Sequence, residues 1–188
     1  GSYDVPSDAP VLCYLGGSSS FSIPYVKQQF ASTSVVESWL GSMPTLHIMF
    51  MPRNDGLADH PRVHYLPATS EADFKAAYLQ ACDAMLHARS NGESFGMAVA
   101  EFSSCNKPVI TQHPGGAHYE TAHTEKLGAL TWGYTDKGSL LKQIHRLVDT
   151  PRATLAATDW NAYRDNEPSA IMLNNFHPKL IEPLGLCR

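Results

Sequence analysis

The sequence predicts an α/β fold, a sandwich of helices around a mainly parallel sheet. Three observations carry this. Thr45–Met51 (TLHIMFM) is almost continuously apolar, as a strand covered on both faces must be. Apolar runs alternate with helical patterns along the chain, the rhythm that gives parallel pairing. Loops follow the runs at Gly16-Gly17, Pro52-Arg53, Leu66-Pro67, Arg89–Glu93 and His113–Gly116. In a parallel sheet they open on one rim, where ligands of such folds bind.

Composition agrees. The chain has 188 residues, 43% apolar and 17% charged, which suits one folded domain with its own core. Residues 3–188 read as that domain, and Gly1-Ser2 as an expression scar. A net charge of -4 with no basic run argues against a nucleic-acid partner. No apolar run approaches the roughly 20 residues that span a bilayer, so no membrane span is expected. No leader pattern opens the sequence. Cys13, Cys82, Cys105 and Cys187 lack C-x-x-C spacing and mostly sit among apolar residues. They read as buried free thiols of a reducing, cytoplasmic compartment rather than a zinc site.

In chain order, Val11–Leu15 is a strand ended by Gly16-Gly17, and a helix is expected near Pro24, since proline suits the first helical turn. Thr45–Met51 and Val63–Leu66 are the next strands. Ser70 with Asp73 resembles a capping box opening a helix that carries Phe74, Ala77 and Tyr78. Met85–Ala88 and Pro108–Thr111 are strands on either side of the Gly92–Asn106 stretch. Glu120 opens a helix, Leu130–Trp132 is a short strand, and Leu140, Ile144, Leu147 and Val148 form an amphipathic stripe. Thr150 is the expected N-cap of a helix begun by Pro151. Residues 168–186 read as a last helix with a broken tail.

The chemistry concentrates in Gly92–Ile110, GESFGMAVAEFSSCNKPVI. It reads as a loop carrying Glu93, a helix with Ser94-Phe95-Gly96 in its first turn, and a tight connection into a buried strand. Glu101 lies among apolar and small residues, where a carboxylate is costly unless donors meet it. The vicinal hydroxyls of a ribose supply two such donors. The free amides of Phe95, Gly96 and Met97 and the positive helix end form an anion site, and Gly96 leaves room for a phosphate. Ribose at one end and phosphate at the other describe a nucleoside diphosphate along the helix start. A bland alternative stands beside this: a helix with one partly exposed Glu and an N-terminal Gly.

These residues resemble the E-x7-E signature of retaining GT-B glycosyltransferases. Glu93-Ser94-Phe95-Gly96, Glu101 and Cys105–Ile110 match its E-G-F-G, second Glu and G-K-P-V-I. Gly115-Gly116 with Glu120 matches the turn that follows. The resemblance implies a Rossmann-like α/β/α sandwich forming one half of a GT-B fold, with the acceptor domain separate or excised from the N-terminal side. It implies a donor site for a UDP- or GDP-sugar, with the acceptor unknown. Glu93 would be the catalytic residue, on the sugar hydroxyls. Ser94, Phe95, Gly96 and Met97 would hold sugar and phosphate, Glu101 the ribose, and Leu66 and Pro67 the base. Gly17, Ser18 and Arg53 complete the expected donor contacts. No metal and no cofactor beyond the donor is implied. The chain departs from the family at the loop after the first strand, where Gly17 and serines replace a basic pair. That departure keeps a catalytically inactive nucleotide-binding module open as an alternative, beside part of a GT-B nucleotide-sugar epimerase. Without the acceptor half, transfer is expected to be weak or absent.

His113, His118 and His123 fall at five-residue steps, which do not share a helical face, so surface histidines are expected rather than a metal site. His113 or His118 remains a candidate for touching the donor.

Overall fold

Six strands form where the apolar runs predict them. The computed structural model describes residues 3–113 and 118–164, the side chains of residues 118–120 excepted. Strands β1 (Val11–Leu15), β2 (His47–Met51), β3 (Val63–Tyr65), β4 (Ala84–Leu86), β5 (Val109–Gln112) and β6 (Thr131–Tyr134) pair in the order β3-β2-β1-β4-β5-β6. Every ladder is parallel, with Val11 opposite His47 and Leu15 opposite Met51. Helices α1 (Pro24–Lys27), α2 (Thr33–Leu40), α3 (Ala72–Ala81), α4 (Met97–Ser104), α5 (His118–Leu127), α6 (Lys137–Asp149) and α7 (Arg152–Ala157) flank them among the described residues. This is the expected Rossmann-like sandwich.

The two faces of the sheet follow from the period of two along each strand. Leu12, Tyr14, Ile48, Phe50, Ala84, Leu86 and Ile110 point to one face, against Phe30, Trp39 and Leu40 near α1 and α2 and Leu140, Ile144 and Leu147 of α6. Val11, Cys13, Met49, Met51, Met85 and Val109 point to the other, against Tyr78 and Leu79 of α3 and Val99 and Phe102 of α4. Phe102 has no exposed surface, which fixes the inner face of α4. Coverage on both faces explains why β2 carries no polar alternation.

Several helix starts differ from the sequence expectation. The turn at Pro24 lasts only four residues, and the main helix there is α2, capped by Ser32 Oγ accepting from Val35 N at 3.3 Å. The Ser70–Asp73 box does not form. Thr69 Oγ1 accepts from Glu71 N at 3.0 Å instead, and α3 starts at Ala72. A capping box does form at Asp136 and Ser139, where it opens α6. Thr150 closes α6 rather than capping α7, whose N-cap is Pro151. The helix expected over residues 168–186 lies outside the described residues.

The cysteine expectation is corrected. Cys13 on β1 and Cys82 at the end of α3 form a disulfide, with Cα atoms 5.8 Å apart, and no described cysteine is a free thiol. Cα atoms at that distance suit the bond. A reducing compartment therefore loses its sequence support. No described helix is long and apolar enough to cross a membrane.

At the N-terminal ends of the strands, Asp83 gathers three donors. It accepts from Val11 N at 2.8 Å and from Arg152 Nε and Nη2 at 2.8 Å each. Arg152 also donates to the carbonyls of Ala9, at 2.6 Å, and Ser7. This staple fixes α7 under the end of the sheet opposite the rim.

Candidate functional site

The strand order reverses between β1 and β4, and a cleft of about 310 Å³ opens at their C-terminal ends. Such reversal points are where ligands of open parallel sheets bind. Its floor is the turn after β1. Tyr14 folds back over this turn and donates from Oη to Gly17 O at 3.0 Å. A Cβ on Gly16 would lie 2.5 Å from Tyr14 Oη, so the ring leaves room only for glycine beneath it. Burial pushes the Tyr14 phenol up to about 12, and it stays neutral.

The facing wall is the start of α4. Gly96 is its N-cap in the left-handed region, φ 77°, so the helix begins at Met97, three residues later than the sequence suggests. With Gly96 as N-cap, the amides of Met97, Ala98 and Val99 have no intrahelical acceptor, so the open donors extend further along the chain than the expected Phe95, Gly96 and Met97. No side chain caps them. Gly96 O accepts from Ala100 N at 2.8 Å, closing the first turn. The preceding loop is held from below, where Tyr163 Oη donates to Phe95 O at 2.8 Å and the two rings pack edge to face at 5.4 Å.

Glu93 projects into the same cleft. Arg89 Nη1 donates to both its oxygens, at 3.0 and 3.1 Å, and His87 Nε2 stands 3.7 Å from Oε1. Burial alone would raise the carboxyl, but hydrogen bonding and charge from His87 and Arg89 outweigh it and hold Glu93 below the usual carboxylate range. At 3.7 Å His87 Nε2 is close to Glu93 Oε1 without a formed hydrogen bond. Glu93 is therefore ionised at neutral pH, with its carboxylate turned to the cleft.

Behind Glu93 lies a polar cluster that sequence reasoning missed. His87 follows β4, Thr111 lies on β5 and His123 on α5. His87 Nδ1 is 2.8 Å from Thr111 Oγ1, and Thr111 Oγ1 is 3.1 Å from His123 Nε2. His123 Nδ1 is 3.3 Å from Glu93 O. All three side chains are buried. His123 is thus a core residue, not the surface histidine that its spacing suggests. The available signal was a histidine ending an otherwise apolar strand run, Met85-Leu86-His87.

The predicted site residues divide. Gly17, Glu93, Ser94, Phe95, Gly96 and Met97 line the cleft together. Ser18 is exposed beside it. Arg53 is turned away, donating to Asp59 Oδ1 at 2.8 Å and Leu57 O at 2.7 Å and stacking on Tyr65. Leu66 is core and Pro67 is exposed, both away from the cleft walls. The turn at Gly115-Gly116 lies outside the described residues. Among those described, no three His, Cys, Asp or Glu side chains form a metal-binding group.

Glu101 also stands apart. Its Oε1 accepts from Lys75 Nζ at 2.5 Å, while Oε2 is buried with no partner. Burial raises its carboxyl above the ordinary 4.5, and Lys75 offsets this only partly. The folded state therefore binds this proton more tightly than the unfolded one. That contribution to stability is full below the ordinary value and is lost as pH rises through the raised one. Glu101→Gln is expected to flatten the pH dependence of Tm across that window. An unchanged pH profile of Tm would show that burial does not shift the group.

Glycosyl transferases group 1 matches residues 57–165, more than half of the chain. The chain belongs to this family. Solved structures agree on the fold of the glycosyl transferases group 1 domain. WaaG, a glycosyltransferase involved in lipopolysaccharide biosynthesis, superposes with a TM-score of 0.62 at 13% identity over 94% of this chain and 48% of its own. Anabaena HepE, solved in complex with UDP, gives 0.60 at 18% identity over 95% and 49%. A putative UDP-N-acetylglucosamine 2-epimerase from Listeria monocytogenes gives 0.53 at 15% identity over 92% and 46%. The chain therefore spans about half the length of these proteins. Comparison with curated protein sequences gives no match.

Proposed function

We propose that this chain is the donor-binding domain of a glycosyltransferase that takes a nucleotide-diphosphate sugar and transfers the sugar with retention. One observation carries the reading: the uncapped start of α4 and the ionised Glu93 face the same cleft, at the point where the strand order reverses. In this reading the amides of Met97 and Ala98 take the diphosphate, with the helix dipole behind them. Glu93 takes the hydroxyls of the sugar. Glu101 and the Leu66-Pro67 loop, the contacts that the family resemblance implies for ribose and base, lie outside the cleft walls and carry no part of this reading. Transfer is then electrostatic: charge grows on the leaving diphosphate as the sugar becomes cationic, and fixed amides and Arg89 stabilise the former. The UDP complex of the HepE fold relative and the E-x7-E spacing support the assignment.

Titration with UDP, GDP and ADP, followed by NMR, tests it. Shifts are expected at Gly17, Phe95, Gly96 and Met97, and should survive EDTA, because amides and Arg89 rather than a metal hold the phosphates here. Shifts elsewhere, or none, would sink the reading. Glu93→Gln is expected to leave the free diphosphate unaffected and to weaken the sugar nucleotide by roughly 1.5–3 kcal/mol, the scale of a hydrogen bond to a charged group. Equal losses for both ligands by calorimetry would show that Glu93 does not read the sugar.

A second reading is binding without transfer. It is favoured by the loop after β1, which brings Gly16, Gly17 and Ser20 to the cleft and no cation. Sugar transfer to an acceptor at about 1 per second or faster would rule it out.

A further inference from the structure

A second cavity, of about 520 Å³, opens at the N-terminal ends of the strands, at the end of the sheet opposite the donor cleft. Asp83, Lys107 and Arg152 line it, beside the apolar side chains of Val11, Met49 and Leu155. The turn that ends α4 brings Lys107 there. Asn106 is left-handed at φ 57°, Asn106 N donates to Ser103 O at 2.9 Å, and Lys107 N donates to Phe102 O at 3.0 Å. This double closure satisfies the carbonyls that a lysine at a helix end would otherwise meet. The Asp83 carboxylate is spent as well, on Val11 N and on Nε and Nη2 of Arg152. Among the described residues, Lys107 Nζ therefore has no hydrogen bond and no ion pair, although the side chain is only partly exposed. Burial lowers its ammonium from the ordinary 10.5, with Asp83 opposing the shift and Arg152 adding to it. Both of those charges line the cavity, which places the ammonium at the same wall. A cation held partly out of water with no acceptor is costly, and an anion in the cavity would supply one.

We propose that this cavity binds a small organic anion, with an apolar body and one carboxylate or phosphate head that pairs with Lys107. The charges favour an anion, since two cations stand against one carboxylate in the lining. Arg152 is already committed to Asp83 and to the carbonyls of Ser7 and Ala9. The three donors of the Lys107 ammonium are thus the ones open to a head group. Val11, Met49 and Leu155 favour a body with methylene groups over a bare inorganic ion, because each methylene they cover is removed from water. A cavity of this size suits a ligand of metabolite size. The site shares no lining residue with the donor cleft, so it stands or falls without the nucleotide-sugar reading.

The test is NMR titration with hexanoate, hexyl phosphate, inorganic phosphate and hexanol. Hexanoate or hexyl phosphate is expected to shift the amides of Ala81, Asp83, Lys107 and Leu155 saturably and to leave Gly17 and Gly96 in place. The tighter of the two identifies the head group. Lys107→Met keeps the length of the side chain and deletes its charge. It is expected to lose about tenfold in affinity for the bound anion, the scale of a charge-assisted hydrogen bond, with weak hexanol binding unchanged. With carbon-13 in the lysine side chains of the wild type, saturation should raise the titration midpoint of Lys107 toward its ordinary value. A lysine with only a structural role would not respond, and this arm reads even where Lys107→Met fails to fold. Four results overturn the proposal: neither organic anion binds, hexanol binds as tightly as hexanoate and inorganic phosphate as tightly as hexyl phosphate, Lys107→Met keeps its affinity for the anion, or the shifts fall in the donor cleft alone.

Discussion

Replacing Cys13 and Cys82 together with alanine is expected to lower stability by about 4 kcal/mol. The bond closes a loop across a sequence separation of 69, and a cross-link of that reach removes this much loop entropy from the unfolded chain. Urea denaturation of the double variant measures it, preferably without reductant, so that only this bond is removed. A loss under about 1 kcal/mol would mean that the bond does not hold the sheet to α3 in solution. The same pairing bears on where the protein works, because such bonds persist mainly in oxidising surroundings.

Gly96→Ala is the second large effect, expected to combine a stability loss of about 2–4 kcal/mol with loss of nucleotide binding. Part comes from the left-handed backbone at φ 77°, which costs an alanine roughly 1 kcal/mol or more. The rest is crowding, since the new Cβ would lie 3.2 Å from His123 Cβ and 3.2 Å from Val99 Cβ. Neither neighbour yields easily, as both are buried in the wall behind the cleft. Relief by unwinding the first turn of α4 would move the Met97 and Ala98 amides. Thermal melting and UDP titration separate the two parts. A variant that melts and binds like wild type would show that the cap conformation is not required.

The sheet was legible because burial on both faces writes a continuous apolar run, and Thr45–Met51 shows it plainly. The rim was legible because loops after parallel strands must share an end. Glu93 and Gly96 were legible as neighbours of a helix start that follows a parallel strand, and both do line the cleft. What was not legible depends on contacts between distant strands. Cys13 and Cys82 pair because β1 lies beside β4 and α3 ends against that face, which no local spacing reveals. His87, Thr111 and His123 meet only once β4 and β5 are neighbours and α5 has folded back. The start of α4 was misplaced because a glycine near a helix end reads as a permitted residue rather than as the turn that delays the helix. Arg53 was read by its position after β2, but its nearest carboxylate, Asp59, captures it.

The Arg152 staple has a consequence for the order of folding. It joins α7 to carbonyls of Ser7 and Ala9, at sequence separations of 145 and 143. Contacts of that range carry the largest closure cost and form late, after the local β-α-β units have collapsed. Arg152 is therefore expected to have a φ-value near zero. Its truncation would leave the refolding rate almost unchanged and speed unfolding, so the staple acts as a kinetic latch on the finished sheet.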